Sequence, residues 1–388
     1  MTSKEHKKHA ELKRPAIGNY GRNEWAIVGA PCVYIKGLAD KVINALSPNY
    51  KCAYADTSHQ DELIQAPGRL AGGAFLEYTD QINYHQFNIN NMSQPFGLRQ
   101  RFAEADLVLV NGNHQQAKSQ VVIIYENKRA SLKKRLAQLT NVELILLAEN
   151  AEGVFDYIQE AIPHWQDIPL YQLDDTDRII AFFQSKLEAA KPVLNGLVLA
   201  GGKSERMGFD KGTVNWFGKE QRYFLTDLLK PLCKEVYISC REDQRDSITN
   251  GNPVLTDTFT GLGPYGAILS AFREQPDSAW LVIACDLPLL DADTLEYLVA
   301  NRDTSKIATA YQSPDNEFPE PLIAIWEPKS YPQLLSFLSL GYSCPRKVLI
   351  NSDIKLLQAK NPEALSNVNT PEDLEKVKRT LHQKIAGS

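Results

Sequence analysis

An apolar run that ends on paired glycines and then meets cations leaves a chain few ways to fold. Residues 197–211, LVLAGGKSERMGFDK, are such a stretch. The apolar residues predict a buried parallel strand with Leu199 and Ala200 at its carboxyl end. Gly201 and Gly202 lack Cβ, so the backbone can approach an anion and aim N–H groups at it. Lys203, Arg206 and Lys211 add positive charge that amides alone do not supply, one of them as a forked guanidinium. A glycine pair by itself is more often an ordinary turn. The whole stretch predicts a polyphosphate site in an α/β fold, although it matches neither G-x-x-x-x-G-K-[ST] nor G-x-G-x-x-G.

The chain has 388 residues, enough for two cores. Its 43% hydrophobic and 23% charged residues are those of an ordinary globular protein. A formal net charge of -5 gives no basic field for nucleic acid, so no nucleic-acid partner is expected. No apolar run is long enough to span a membrane and residues 1–15 contain no apolar signal core, so the expected location is cytoplasmic, with no membrane partner. The six cysteines form no C-x-x-C pair and the seven histidines show no ligand spacing. Reduced thiols are therefore expected, without a structural zinc.

Residues 1–23 are polar and basic and predict a flexible tail. From residue 24 apolar β-branched runs alternate with helical patterns: WAIVGAP, a helix over 37–46, KCAYADTSH, DLVLV, VVIIY, a helix over 131–139 and VELILLA. That rhythm predicts a parallel sheet covered on both faces, within a first domain over 24–190. A helix over 175–190, opened by Asp175 and Asp177, closes that domain and leads through a linker to the second, 191–388.

The first domain's opening strand to Gly29, RLAGGAFLEY and ADLVLVNGNHQQAKSQVVII resemble the MobB-like P-loop adaptor proteins of molybdopterin-guanine dinucleotide synthesis. Laid on that P-loop, Gly29 fits the first glycine, but Tyr34, Ile35 and Lys36 take the places of the later glycine, the lysine and the hydroxyl. Asn111 likewise stands where the resemblance implies an acid. A P-loop fold that has lost nucleotide hydrolysis, left with a docking role, is the expectation.

In the second domain, residues 199–211 resemble the signature of the MobA-like nucleotidyltransferases, and among them the molybdenum cofactor guanylyltransferases. The resemblance covers 192–384 and continues through PVLTDTFTGLGPYGAILSAFRE, CDLPLL, PEPLIAIW and NVNTPEDL. It implies a Rossmann-like transferase domain, so that the fold class is α/β throughout, as two three-layer domains. It also implies transfer of GMP from GTP to the phosphate of molybdopterin or its molybdenum-loaded form, releasing pyrophosphate.

Leu199, Ala200, Gly201, Gly202, Lys211, Asp257 and Asp286 are then the nucleotide-binding candidates, and Arg206, Lys211 and Asp286 the catalytic ones. Asp286, after an apolar strand and before Pro288, is the expected Mg²⁺ ligand. Glu320, Arg346, Lys347, Asn367 and Asn369 are candidates for the acceptor. The stretch 239–241 holds a further base contact whose register is ambiguous by one residue. Tyr265 stands where the resembling family has leucine, and Gly266 falls one residue early. Molybdoenzymes or cofactor-handling proteins are candidate partners. Two alternatives stay open: a cytidylyltransferase of the same fold, and a non-catalytic cofactor carrier or regulator.

Overall fold

The computed structural model describes residues 18–58, 68–90, 95–202, 211–216, 218–249, 251–368, 373, 375 and 377. The chain forms two compact units, Met1–Ala190 and Lys191–Ser388.

In the first unit the strands are β1 (Glu24–Val28), β2 (Cys52–Ala55), β3 (Leu76–Asp80), β4 (His85–Ile89), β5 (Leu107–Asn111), β6 (Ser119–Ile124), β7 (Val142–Leu147) and β8 (Leu170–Gln172). The helices are α1 (Cys32–Leu46), α2 (Pro95–Phe102), α3 (Arg129–Lys133), α4 (Asp156–Ala161) and α5 (Thr176–Ala189). The main sheet runs β2-β5-β1-β6-β7-β8 with every pairing parallel. Its central strands are buried along their whole length, as parallel strands under helices on both faces must be. One face packs on α1 and α5 through Ile35, Leu38, Val42, Phe182 and Phe183, and the other on a cluster around Leu132, Phe155 and Ile158. Strands β3 and β4 form a separate antiparallel hairpin carrying exposed Tyr78, Tyr84 and Phe87.

Three sequence expectations shift here. Of the tail expected over 1–23, residues 1–17 lie outside the described residues, and by Tyr20 the chain is packed, its ring buried against Phe102 with centroids 5.1 Å apart. The buried Glu24 carboxylate holds that turn by accepting from the N–H groups of Asn19, Tyr20, Gly21 and Lys118 at 2.6–3.0 Å. The extended piece before the predicted closing helix supplies β8 to the sheet edge, while that helix stands where it was expected, as α5 packed in the core with the Asp175 side chain capping it through Arg178 N–H. Helix α1 begins at Cys32, not at 37, so residues 34–36 are already helical and no loop is left to wrap a phosphate. Gly29, at φ +101°, serves the turn into that helix: a Cβ there would lie 2.3 Å from the Ile123 carbonyl oxygen.

The second unit contains β9 (Leu194–Leu199), β10 (Val236–Cys240), β11 (Val254–Thr256), β12 (Ala279–Ala284), β13 (Ala308–Gln312), β14 (Pro319–Trp326) and β15 (Lys355–Leu357). Its helices are α6 (Gln221–Leu229), α7 (Pro264–Glu274), α8 (Ala292–Ala300), α9 (Ser330–Ser339) and α10 (Pro345–Ile350). Strand order is β11-β10-β9-β12-β14-β13-β15. The pairings β11-β10, β10-β9 and β9-β12 are parallel, whereas β14 runs antiparallel to β12 and β13. One face of this sheet buries Leu225, Leu229, Leu295 and Leu298, the other Ile268, Leu269, Phe272 and Leu334. The parallel strands β9, β10 and β12 bring their carboxyl ends to one edge, where open α/β sheets bind ligands.

Candidate active site

A cavity of about 250 Å³ opens at that edge. Its walls come from the end of β9 (Leu199, Ala200, Gly201, Gly202), from Lys211 and Gly212, and from Ser239 on β10. Asp257 follows β11, and Cys285 and Asp286 follow β12. Gly263, Pro264 and Ala267 close it from the first turn of α7, and Leu322 from β14. Seven nucleotide-site candidates, Leu199, Ala200, Gly201, Gly202, Lys211, Asp257 and Asp286, thus share one cavity. Arg206 and Asn369 lie outside the described residues.

Gly201 sits tightly, since a Cβ there would come within 3.4 Å of Cys240 Cα and Asp257 Oδ2. The Arg241 guanidinium donates to the Gly201 carbonyl at 2.8 Å and is itself held by Asp243. The ambiguous 239–241 stretch is thereby placed: Ser239 faces the cavity, whereas Arg241 braces the glycine turn. Ser239 also donates to Asp257 Oδ1 at 2.8 Å. Burial pushes the Asp257 carboxyl up, and the Ser239 hydroxyl and Arg241 charge oppose it.

Lys211 Nζ lies 3.7 Å from Asp286 Oδ2. Burial raises the Asp286 carboxyl, the Lys211 ammonium pulls it back, and the negative charge of Glu320 adds to the rise. The Asp286 carbonyl accepts from Val368 N–H at 2.8 Å, which ties the NVN stretch to the carboxylate's own backbone. Asn367 is exposed on that stretch.

Helix α7 aims its amino end at the cavity. Gly263 at φ +56° and ψ -138° turns the chain into Pro264 at the first helical position. The first-turn amides and the helix dipole at this end favour an anion. The helix starts at Pro264 rather than at 267. Gly266 is required there because a Cβ would meet the Phe259 carbonyl oxygen at 2.1 Å. Tyr265 does not reach the cavity: its ring is fully buried and its hydroxyl donates to the Leu334 carbonyl at 2.6 Å.

Of the described acceptor candidates, Glu320, Arg346, Lys347 and Asn367, none is among the cavity walls. Glu320 on β14 binds Arg346 at 2.8 Å, and Arg346 Nε is buried without a hydrogen-bond partner among the described residues. Lys347 packs over the Tyr342 ring at 5.7 Å. Among the cavity walls, Leu322 carried no signal beyond its place in an apolar strand, and Gly212 none beyond following Lys211.

This arrangement defines a nucleotide-transferring α/β domain, and comparison with known proteins agrees. Residues 196–354 match the MobA-like NTP transferase domain. Over 190 residues the chain is 30% identical to a molybdenum cofactor guanylyltransferase of Shewanella sp. (strain W3-18-1), covering 47% of this chain and 95% of the relative. It is 35% identical over 189 residues to a molybdenum cofactor biosynthesis bifunctional protein of Synechocystis sp. (strain ATCC 27184 / PCC 6803 / Kazusa), covering 48% of this chain and 54% of the relative. The chain therefore spans about half the length of that bifunctional relative. A solved molybdopterin-guanine dinucleotide biosynthesis protein A from Archaeoglobus fulgidus is 22% identical with a TM-score of 0.43, over 49% of this chain and 99% of that one. The chain belongs to the MobA-like nucleotidyltransferases, among the relatives named molybdenum cofactor guanylyltransferases.

Proposed function

We propose that the chain transfers GMP from GTP to the terminal phosphate of molybdopterin, or of its molybdenum-loaded form, giving the guanine dinucleotide cofactor and pyrophosphate. The observation that carries this reading is the convergence of Gly201, Gly202, Lys211, Asp257 and Asp286 on one cavity under the amino end of α7. A phosphate monoester is largely dianionic at neutral pH, its second pKa being about 6, so the acceptor is its own nucleophile and needs no catalytic base. The chain's task is to hold two polyanions in line and to stabilise charge on the α-phosphoryl oxygens and the leaving pyrophosphate. In this reading the Gly201 and Gly202 amides, the amino end of α7, Lys211 and Arg206 hold the triphosphate. Leu199 and Ala200 flank the base, and Ser239 fixes Asp257 beside it. Glu320, Arg346, Lys347, Asn367 and Asn369 receive the pterin.

Among the described residues no group of three or more histidine, cysteine or acidic side chains is placed to cage a metal. With only two carboxylates at the cavity, Asp257 held by Ser239 and Asp286 beside Lys211, Asp286 fits an ion that keeps most of its ligands as water and phosphate oxygens, as Mg²⁺ does. Asp286 would hold it, and the bound ion would neutralise charge shared between the phosphates.

No helix among the described residues is long and apolar enough to cross a membrane, and we place the reaction in the cytoplasm. We further read the first unit as a P-loop-type domain, akin to the MobB-like adaptors, that no longer hydrolyses nucleotide. The early start of α1 at Cys32 and the packing role of Gly29 support this. The test of the nucleotide site is equilibrium binding of GTP, CTP and ATP with Mg²⁺ to the whole chain and to Asp286→Asn. Selective GTP binding weakened by the substitution supports the reading; equal binding of all three, unaffected by it, overturns it.

A further inference from the structure

The first unit gathers reactive groups where its missing phosphate loop would sit. Cys32 opens α1 just beyond β1, Asp56 follows β2, and His114 follows β5, so three neighbouring parallel strands deliver them to one sheet edge. Cys32 Sγ lies 3.6 Å from His114 Nε2, and His114 Nδ1 lies 2.8 Å from Asp56 Oδ1. With Nδ1–H donating to the carboxylate, Nε2 keeps its lone pair towards the thiol. Asp56 is fixed as an anion: Thr57 N–H donates to Oδ1 at 2.7 Å, and Tyr54 hydroxyl and Lys36 Nζ reach Oδ2 at 3.1 and 3.3 Å. Burial works against that charge, but the hydrogen bond from His114, the facing amide of Asn111 and the Thr57 amide hold the carboxyl well below its ordinary range.

The surroundings favour a ligand over a purely internal network. Asn111 is wholly buried beside Asp56, and its amide faces that carboxylate. Cys32 is half-buried, not sealed. Helix geometry leaves the first-turn N–H groups of Cys32 and Val33 without an intrahelical acceptor. Asn113 Nδ2 donates to the Ala30 carbonyl at 2.8 Å and points at Cys32 Sγ from 3.7 Å. Donors grouped beside a sulfur suit an electrophile that develops an oxyanion, which a carbonyl carbon does and an alkyl or disulfide electrophile does not.

We propose that Cys32 and His114, positioned by Asp56, form a nucleophilic thiol centre that takes an acyl group from an activated ester or thioester. Cys32 passes its proton to His114 Nε2 as Sγ bonds the acyl carbon. The bond from that carbon to the leaving oxygen or sulfur then breaks, and His114 returns the proton to the leaving group. The product is an S-acyl Cys32 and a free alcohol or thiol.

The test uses the whole chain and p-nitrophenyl acetate near neutral pH, following p-nitrophenolate release and the acetylated peptides by mass. Cys344 is exposed and serves as the internal control, because access alone would favour it over Cys32. Cys32 is expected to acetylate faster than Cys344 by about 10²-fold. His114→Gly removes that preference and free imidazole restores it, which a purely structural histidine would not permit. Asp56→Asn slows acetylation of Cys32 while the far-UV circular dichroism stays that of the unaltered chain, whereas a disrupted fold changes both. Acetylation of Cys32 no faster than Cys344 in the unaltered chain overturns the proposal, and this comparison stands even where a variant fails to fold.

Discussion

Lys211 Nζ stands 3.7 Å from Asp286 Oδ2, so the cation that ends the glycine stretch meets the carboxylate that ends β12. Each answers the other's charge in a partly buried cleft. Asp286→Asn keeps the shape and removes the charge. It is expected to lower the transfer rate by about 10²–10³-fold with the melting temperature little changed. Lys211→Ala should act mainly on kcat, because its charge is used at the reacting phosphates; a rise in KM alone would move it to ground-state binding.

The acid side of the pH profile follows from the same pair. Burial raises the Asp286 carboxyl above the ordinary carboxylate range. If the ionised form is the active one, as the proposed role in holding Mg²⁺ requires, activity should fall on acidification at a higher pH than an exposed aspartate would give. Lys211 opposes the rise, and Lys211→Met should therefore move the acid limb of kcat/KM further up. Initial rates over roughly pH 4 to 8 check this, and an unmoved limb in the variant contradicts it.

Gly266→Ala forces a methyl against the Phe259 carbonyl, where the ideal Cβ lies 2.1 Å from the oxygen. The expected cost is about 1–3 kcal/mol, read as a lower urea midpoint. Because α7 also closes the cavity, nucleotide affinity should fall with it.

Asp56 gives a pH-dependent stability of known sign. Its folded carboxyl is held below its unfolded value, so its contribution is fully present above the unfolded pKa of about 4 and is lost as the pH falls towards the folded value. Hydrogen exchange of the β1 and β5 amides should show the unaltered chain better protected than Asp56→Asn at neutral pH. The gap should narrow below about pH 4; a gap that widens on acidification contradicts the sign.

The parallel strands and their glycine and carboxylate ends were legible because parallel strands are continuous apolar runs and the residues that follow them are short motifs. Gly201, Gly202, Asp257 and Asp286 each follow such a run directly. What could not be read depends on tertiary neighbours. Tyr265 looked like an altered contact over the cavity, yet its hydroxyl found the Leu334 carbonyl in the core. Arg346 looked like a free cation, yet β14 brings Glu320 to it. Cys32, Asp56 and His114 share no spacing motif at all, and only the strand order β2-β5-β1 makes them neighbours.

The most direct measurement is pyrophosphate release by the whole chain with Mg²⁺, offered GTP, CTP, ATP or UTP, with and without molybdopterin and molybdate. The expected result is release with GTP that requires the pterin and is lost in Asp286→Asn. Release with CTP in preference would keep the chemistry and change the base. No pterin-dependent release with any nucleotide would contradict guanylyl transfer and leave a cofactor carrier or regulator as the reading of this fold.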